Sequence, residues 1–490
     1  MNTLSRRWTG SSNTLLFIIG MVIAALGMSA LISIGEIRLA VTAAVLSLLL
    51  GLALLNIRLA IVGVFVYLTV LGDLRRMLVP MVGWSGSDPL ILVGPLVALL
   101  LFGGAMLSKQ LSIRSPVAKI TVLFMGFMAL QIFNPAQGGL IVGVAGAMLY
   151  LVPMLWFWIG QAFATKNLMR TWYYQIMPAL ALLAAGVGLY QVFYGWFPYQ
   201  LAWYRIAGYT ALGPSEELLR SISIFPNLTE YLHYLGVAII AGIAALFKKT
   251  QSICVLLIPV LLAALFLAGS RGPIVMVVLT AGILYTVQGR SFATWIPRLA
   301  LTLFVGGAVL VYGLTQAGDL SSELSNKRMS HVLDRQAQLL PSEGADGGTV
   351  AIHGNLFWLG LKWGFEEPLG RGIGSTTLAA SKYGDRGGST EKDLSDMFVA
   401  GGVVGGFLYL SLIVAVATTA LLYWRRERSL LALAFVGLLA FTGLSWLKPG
   451  HYVLTPLIWF TIGALDRFST NRTETTEPEA SSEALARSSA

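Results

Sequence analysis

Apolar residues in this chain come in long blocks separated by short polar breaks. A helix needs roughly 20 apolar residues to cross a bilayer, within a range of about 17–25. Fourteen blocks approach that length: approximately 14–34, 39–56, 58–72, 90–107, 117–134, 139–163, 174–194, 231–247, 252–268, 273–288, 297–315, 396–422, 429–446 and 451–466. The 58–72 and 451–466 blocks are short enough to be interfacial or re-entrant pieces. The first block is too long for the apolar segment of a signal peptide and lacks a convincing cleavage site, so it reads as a retained anchor. The expected fold is all-α, a polytopic transmembrane helical bundle of about 12–14 spans.

Composition narrows the class. Of the 490 residues, 56% are hydrophobic and 11% charged, against about 25% charged in ordinary soluble proteins. So few charges could not cover a soluble globule, and so many apolar residues exclude a disordered chain. The net charge of +10 invites a nucleic-acid reading. Its distribution fits threading better. With the N-terminus inside, the inside loops hold 18 of the 33 basic residues and six of the 23 acidic ones, among them Arg58, Lys109, Lys248, Lys249, Arg425 and Arg426. That dense inside bias predicts two cytoplasmic termini. Two outside segments are long. One, about 195–230, carries Tyr194, Trp196, Tyr199, Trp203, Tyr204 and Tyr209 in or beside it. It reads as an interfacial aromatic belt or, more sharply, as a sugar-stacking platform. The other, 316–395, has a Gly/acidic middle from Pro341 to Gly348 and an amphipathic stretch from Leu356 to Trp363. That stretch suits a helix lying on the membrane or capping a cavity. The tail 469–490 is Ser/Thr/Glu-rich and expected to be disordered.

Charges near membrane depth are costly and point to function. Arg271 lies in Gly269-Ser270-Arg271-Gly272-Pro273, between two apolar blocks. Pro273 is well placed to open a helix, which puts Ser270 and Arg271 at its N-terminus. Backbone N–H groups, the helix dipole and a guanidinium then converge on a site for an anion such as a diphosphate. A snorkelling arginine at a tight turn is the plainer alternative. Arg220 and Arg205 also lie outside; Arg220 gains weight from the second arginine ending a nearby span on the same side. Glu391, Asp393 and Asp396 precede a glycine-rich helix start, Gly401-Gly402-Val403-Val404-Gly405-Gly406. They either complement the helix dipole or supply a general base; the glycines suit close helix packing. His233, His331, His353 and His451 show no metal-ligand spacing, and the one cysteine, Cys254, allows no intrachain disulfide. His353 is the histidine best placed to titrate, though a surface role is the plainer reading. No cofactor or metal is implied.

Three passages together resemble the O-antigen ligase and polymerase superfamily of bacterial polysaccharide assembly. The Ser270-Arg271-Gly272-Pro273 turn is similar to the family's SRG turn. Phe357-Trp358, followed by Glu367-Pro368-Leu369-Gly370-Arg371-Gly372-Ile373-Gly374, is similar to its large-loop motif. Gly402-Val403-Val404-Gly405 resembles the GxxG that follows that loop. Arg220 to Asn227 is a looser match upstream. The resemblance covers about 250–415. It divides the chain into N-terminal membrane helices (1–250), a ligase/polymerase-like core with the outer loop 316–395 (251–415), C-terminal membrane helices (416–468) and the tail. It implies metal-independent glycosyl transfer on the outer face of a bacterial inner membrane. The donor would be a glycan on undecaprenyl diphosphate, the acceptor another glycan, and arginines would hold the diphosphate. The ligase branch has a histidine about eleven residues before the GxxG glycine; Glu391 stands there here. That departure favours a polymerase over an O-antigen ligase acting on a lipid A-core acceptor. A lipid-linked glycan flippase or transporter is the alternative of another class, but it predicts ionisable residues deep within spans. Here the charges gather at span ends.

Overall fold

A computed structural model describes residues 27–207, 213, 215–250, 252–289, 292–323, 326–337, 348–384 and 388–470. Those residues contain helices and turns and no strand. In chain order the helices are α1 (Ile37–Leu55), α2 (Ile57–Met77), a turn at Val79–Val82, α3 (Leu90–Leu107), α4 (Pro116–Leu130), α5 (Leu140–Phe163) and α6 (Lys166–Tyr194). There follow α7 (Pro198–Ala207), α8 (Leu228–Phe247), α9 (Ile253–Leu267), α10 (Gly272–Val287), α11 (Phe292–Glu323), α12 (Lys327–Ala337) and α13 (Gly348–Glu366). The last are α14 (Leu378–Tyr383), α15 (Asp393–Glu427), α16 (Leu430–Thr442) and α17 (Leu454–Thr470).

Eight of these, α1 to α3, α4 together with the turn that extends it to Phe133, α5, α6, α8 and α15, are long and apolar enough to cross a membrane. Shorter apolar helices lie in α9, α10, α11 and α16. The protein is therefore an all-α, multi-pass membrane protein. Large apolar side chains such as Leu100, Leu123, Leu183, Leu256 and Val414 are exposed on the helix surfaces, where lipid rather than water must meet them. The expected first span, 14–34, lies mostly outside the described residues, with 27–33 helical. The tail beyond Thr470 also lies outside them. The short 58–72 block belongs to a full-length helix. Hydropathy undercounts α2 because its last turn carries Asp73, Arg75 and Arg76, and all three are buried.

Small residues let the central helices touch backbone to backbone, the usual device where lipid supplies no hydrophobic drive. A Cβ at Gly160 of α5 would run into the Phe460 carbonyl of α17, and one at Gly463 into the Phe157 carbonyl. Pro178 in α6 has no N–H, which leaves the Tyr174 carbonyl without its helical donor. A wide turn at Trp172–Ile176 accommodates this, and the Cys254 thiol donates to the Tyr174 oxygen at 3.5 Å.

Contacts sort the connections into two ends. At the basic end, Gln161 Nε2 donates to Asp466 Oδ2 at 2.8 Å, Arg426 Nη2 to the Phe468 carbonyl at 2.8 Å, and Lys166 pairs with Glu427 at 3.5 Å. At the opposite, loop-rich end, Arg75 Nη1 donates to the Tyr452 hydroxyl at 2.8 Å, Asn227 Nδ2 to the Gly450 carbonyl at 2.9 Å, and Arg328 Nε to the Glu217 carbonyl at 2.9 Å. The loops expected inside by their lysines and arginines fall at the first end. Those expected outside fall at the second.

Candidate functional site

The loop-rich end carries the sequence-selected residues. The chain leaves α9 through Ala268, turns at Gly269 (φ +77°), and enters α10 with Arg271 as N-cap and Pro273 in the first turn. Ser270 and Arg271 therefore stand at a helix N-terminus. Beside this turn is an apolar cavity of about 630 Å³. Its walls are Leu262, Phe266 and Leu267 of α9, Ile274 of α10, Leu320 of α11 and Leu333 of α12, so wall residues flank the turn on both sides. The sequence of α12 explains why it lies there. Met329, Leu333 and Gln336 recur at helical spacing on one face. Gln336 Nε2 bonds the Phe266 carbonyl, and Ser321 Oγ donates to Asp334 Oδ1 at 2.5 Å.

The acidic group sits where α15 begins. Asp396 is buried, and both its oxygens are taken. Oδ1 accepts the Thr390 N–H at 2.6 Å and the Thr390 hydroxyl at 2.9 Å, while Oδ2 accepts the Ser389 hydroxyl at 2.9 Å. The carboxylate reaches back past the Lys392 N-cap and folds the preceding loop onto the first turn. Asp393 is buried as well. Its Oδ2 accepts the Leu447 N–H at 2.6 Å and the Tyr409 hydroxyl at 3.1 Å, which ties α15 to the loop between α16 and α17. Glu391, at φ +69°, is the exposed member of the set, and its carbonyl accepts from Lys448 Nζ at 2.8 Å.

The glycine run does more than allow close packing. Gly402 has φ +62° and ψ −156° and breaks α15. The break exposes carbonyls that a continuous helix would use itself. Arg371 N–H donates to the Val399 oxygen and Gly372 N–H to the Ala400 oxygen, both at 2.9 Å. Gln131 Nε2 and Asn134 Nδ2 of the α4–α5 connection hold the Leu369 and Gly370 carbonyls at 2.9 Å each. The Glu367–Gly374 motif is thus the segment that docks the large loop onto the kinked helix. The amphipathic stretch expected at 356–363 lies in α13, which packs Gly360 on Thr390 and Ser395 and leaves Trp358 exposed.

Arg220 lies apart from the α9–α10 turn in the chain, in the loop before α8. Its carbonyl accepts from Trp196 Nε1 at 3.2 Å, and its Nε is buried without a partner among the described residues. The following Ser221, Ile222 and Ser223 all donate to Gln191 Oε1. Trp196 and Trp203 are buried against Val79 and Ile222, with ring centroids 6.3 Å apart. Those two tryptophans pack the loop onto the bundle and offer no open face to a sugar. Among the described members of that group Tyr194 alone is strongly exposed, at 72%, and Tyr209 lies outside the described residues. Of the flexible middle expected from Pro341 to Gly348, residues 341–347 lie outside the described residues and Gly348 opens α13; the side chain of His353 also lies outside them.

Sequence reasoning missed two groupings. The first is a buried charge network. Arg38 Nη1 pairs with Asp88 at 2.5 Å, Arg75 Nε with the same carboxylate at 3.0 Å, and Asp73 receives Gln200 Nε2 at 2.9 Å and the Tyr199 hydroxyl at 2.8 Å. Its only trace in the sequence is a set of charges ending apolar blocks. The second unites His233 and His451, whose ring centroids are 5.4 Å apart, with Lys448 and Lys392 nearby. Burial, then His233 and Lys448, push the His451 imidazole well below its ordinary value. Partial burial and the Lys448 ammonium lower that of Lys392. No group of three or more His, Cys, Asp or Glu side chains suited to a metal ion occurs among the described residues.

A scan against protein-family models and a search of curated proteins both find no match to this chain.

Proposed function

We propose that this protein is a membrane glycosyltransferase. It joins undecaprenyl-diphosphate-linked glycan units on the outer face of a bacterial inner membrane, and polymerisation is the preferred reaction. The observation that carries the reading is the juxtaposition of the Ser270–Arg271 turn with the cavity of about 630 Å³. A helix N-terminus and a guanidinium favour a diphosphate. An apolar slot beside them suits the hydrocarbon chain that carries it. The substrate class follows from that pairing: an amphiphile with an anionic head.

In the reaction, an acceptor sugar hydroxyl attacks the anomeric carbon of the donor. The bond from that carbon to the diphosphate oxygen breaks, and the electron pair leaves with undecaprenyl diphosphate. Negative charge grows on the leaving group, where fixed donors at Arg271 and the α10 N-terminus stabilise it. Arg220, whose Nε has no partner among the described residues, is the second arginine for this role. Of the three acids, Glu391 is the exposed one and is the carboxylate able to take the hydroxyl proton. The bonding of Asp393 and Asp396 supports a positioning role for them.

Arg271→Ala is expected to abolish glycan chain extension in cells while leaving membrane insertion intact. Arg271→Lys should be impaired too, because a single ammonium lacks the two-pronged donor geometry. Polymer of normal length in Arg271→Ala would remove the diphosphate role. Glycan profiling of a deletion strain separates the outcomes. Accumulated single lipid-linked repeats indicate a polymerase, accumulated lipid-linked polymer a ligase, and repeats trapped on the inner leaflet a flippase.

A further inference from the structure

The basic end of the bundle holds charges that the proposed reaction does not use, and two indoles organise them. Trp424, near the C-terminus of α15, donates its Nε1–H to the Val287 carbonyl at 3.0 Å. Trp295, near the start of α11, donates its own to the Gly289 carbonyl at 3.2 Å. The two acceptors are two residues apart where α10 runs into α11, so one stretch of backbone fixes both rings. Each ring carries cations. Lys248 Nζ, from the α8 C-cap, and the Arg428 guanidinium, from the α15 C-cap, are each 5.0 Å from the centre of the Trp424 ring. The Arg425 guanidinium is 5.2 Å from the centre of the Trp295 ring. Cations within about 6 Å of an aromatic centroid are attracted to its face.

No carboxylate pairs with Lys248, Arg425 or Arg428 among the described residues. Glu427, the acid beside them in the chain, is taken by Lys166 at 3.5 Å and Arg426 at 3.3 Å. Cations gathered without a counter-ion repel one another, and a phosphate with oxygens on several sides suits two forked guanidiniums and an ammonium. Threading alone does not ask for this arrangement. The positive-inside bias depends on how many basic residues a loop holds, not on rings pinned beneath them. Nor is Trp424 a residue of an interfacial belt, whose rings face lipid, because it is 2% exposed.

The surroundings select the kind of anion. Leu422 lies one turn before Arg425 on the same face of α15, and Leu299 one turn after Trp295 on the same face of α11; both are exposed. Because α15 ends here and α11 begins here, both leucines sit deeper along the bundle than the charges. A ligand that reaches from the cations onto these leucines has an anionic head and an apolar tail. We propose that Lys248, Arg425 and Arg428, seated on Trp424 and Trp295, bind the phosphate headgroup of an anionic phospholipid whose acyl chains run along α11 and α15. Basic pockets between helix ends are a known way of holding such headgroups.

The test uses the full chain in detergent, titrated with phosphatidylglycerol and separately with phosphatidylcholine, with bound lipid counted by native mass spectrometry. The parent should prefer phosphatidylglycerol. Lys248→Gln, Arg425→Gln and Arg428→Gln should each weaken phosphatidylglycerol about fivefold, the worth of one basic residue at an anionic headgroup, and leave phosphatidylcholine unchanged. The triple variant should bind the two lipids alike. Arg425→Lys keeps the charge and should stay within about twofold of the parent. Lys119→Gln removes an exposed cation from the first turn of α4 that sits on neither ring, and it should change nothing. A triple variant with the parent's preference would overturn the site. Equal losses in Lys119→Gln and Arg425→Gln would overturn it too, by reducing the effect to bulk attraction. Soluble glycerol 3-phosphate, at the lipid's own concentration, should fail to displace phosphatidylglycerol; displacement would overturn the part given to the acyl chains and assign the site to a soluble phosphate. The site shares no residue with the Ser270–Arg271 turn and no readout depends on glycosyl transfer, so the two proposals fail separately.

Discussion

Asp393 shows how a residue picked for chemistry is used by the fold. Its buried Oδ2 accepts one backbone N–H and one phenol hydroxyl. Leaving a buried donor unmet costs about 1–3 kcal/mol. Asp393→Ala strands both donors and should lower the melting temperature measurably. Asp393→Asn keeps a carbonyl oxygen for the Leu447 N–H, and Tyr409 can accept from the new amide. The Asn variant should therefore melt close to wild type and keep glycan extension within a few-fold. An Asn variant of wild-type stability with no extension would make Asp393 the base after all. At Glu391, exposed and tied to the site through its backbone, the expectation runs the other way: little effect on melting, a large effect on extension.

At the scale of the element, the decisive feature is the break in α15. Continuous helix would consume the Val399 and Ala400 carbonyls internally, and the Arg371–Gly372 segment would lose its seat. Gly402 makes the break possible because its φ and ψ lie in a region nearly closed to residues with a side chain. A Cβ there would also run into the Pro368 carbonyl. Gly402→Ala should cost about 1–3 kcal/mol from backbone strain, with overpacking added. Gly405 has no positive φ, and a Cβ would meet Met397 O at 3.1 Å and Phe127 at 3.3 Å, so Gly405→Ala should be clearly milder. Equal melting temperatures for the two alanine variants would show that the kink is not what holds the loop. The same segment shows why a short motif was legible while its purpose was not. Glycines mark a backbone exception in sequence, but the carbonyls that the exception serves come from a helix about 30 residues further on.

For the whole molecule, the membrane helices were legible because lipid-facing and buried positions both demand apolar side chains, so length and composition suffice without any periodicity. The Ser270–Arg271 turn was legible for a related reason: Gly-Ser-Arg-Gly-Pro closes one helix and opens the next by local chemistry alone. The Arg38–Asp88 pair and the His233–His451 pair were not, since each joins distant stretches that only the packed bundle brings together. Charge asymmetry lies between these cases. It assigned loops to two sides, and the contacts gather those loops at two ends, but which end faces out is a property of insertion. Cysteine labelling decides it. The native Cys254 is 1% exposed and should stay silent toward a membrane-impermeant maleimide. Ser87→Cys at the loop-rich end and Thr250→Cys at the basic end are both exposed positions. In intact spheroplasts the first should label and the second should not, with both labelling after permeabilisation. The reverse pattern would put the Arg271 turn in the cytoplasm, and transfer on the outer face would then be impossible whatever the glycan chemistry.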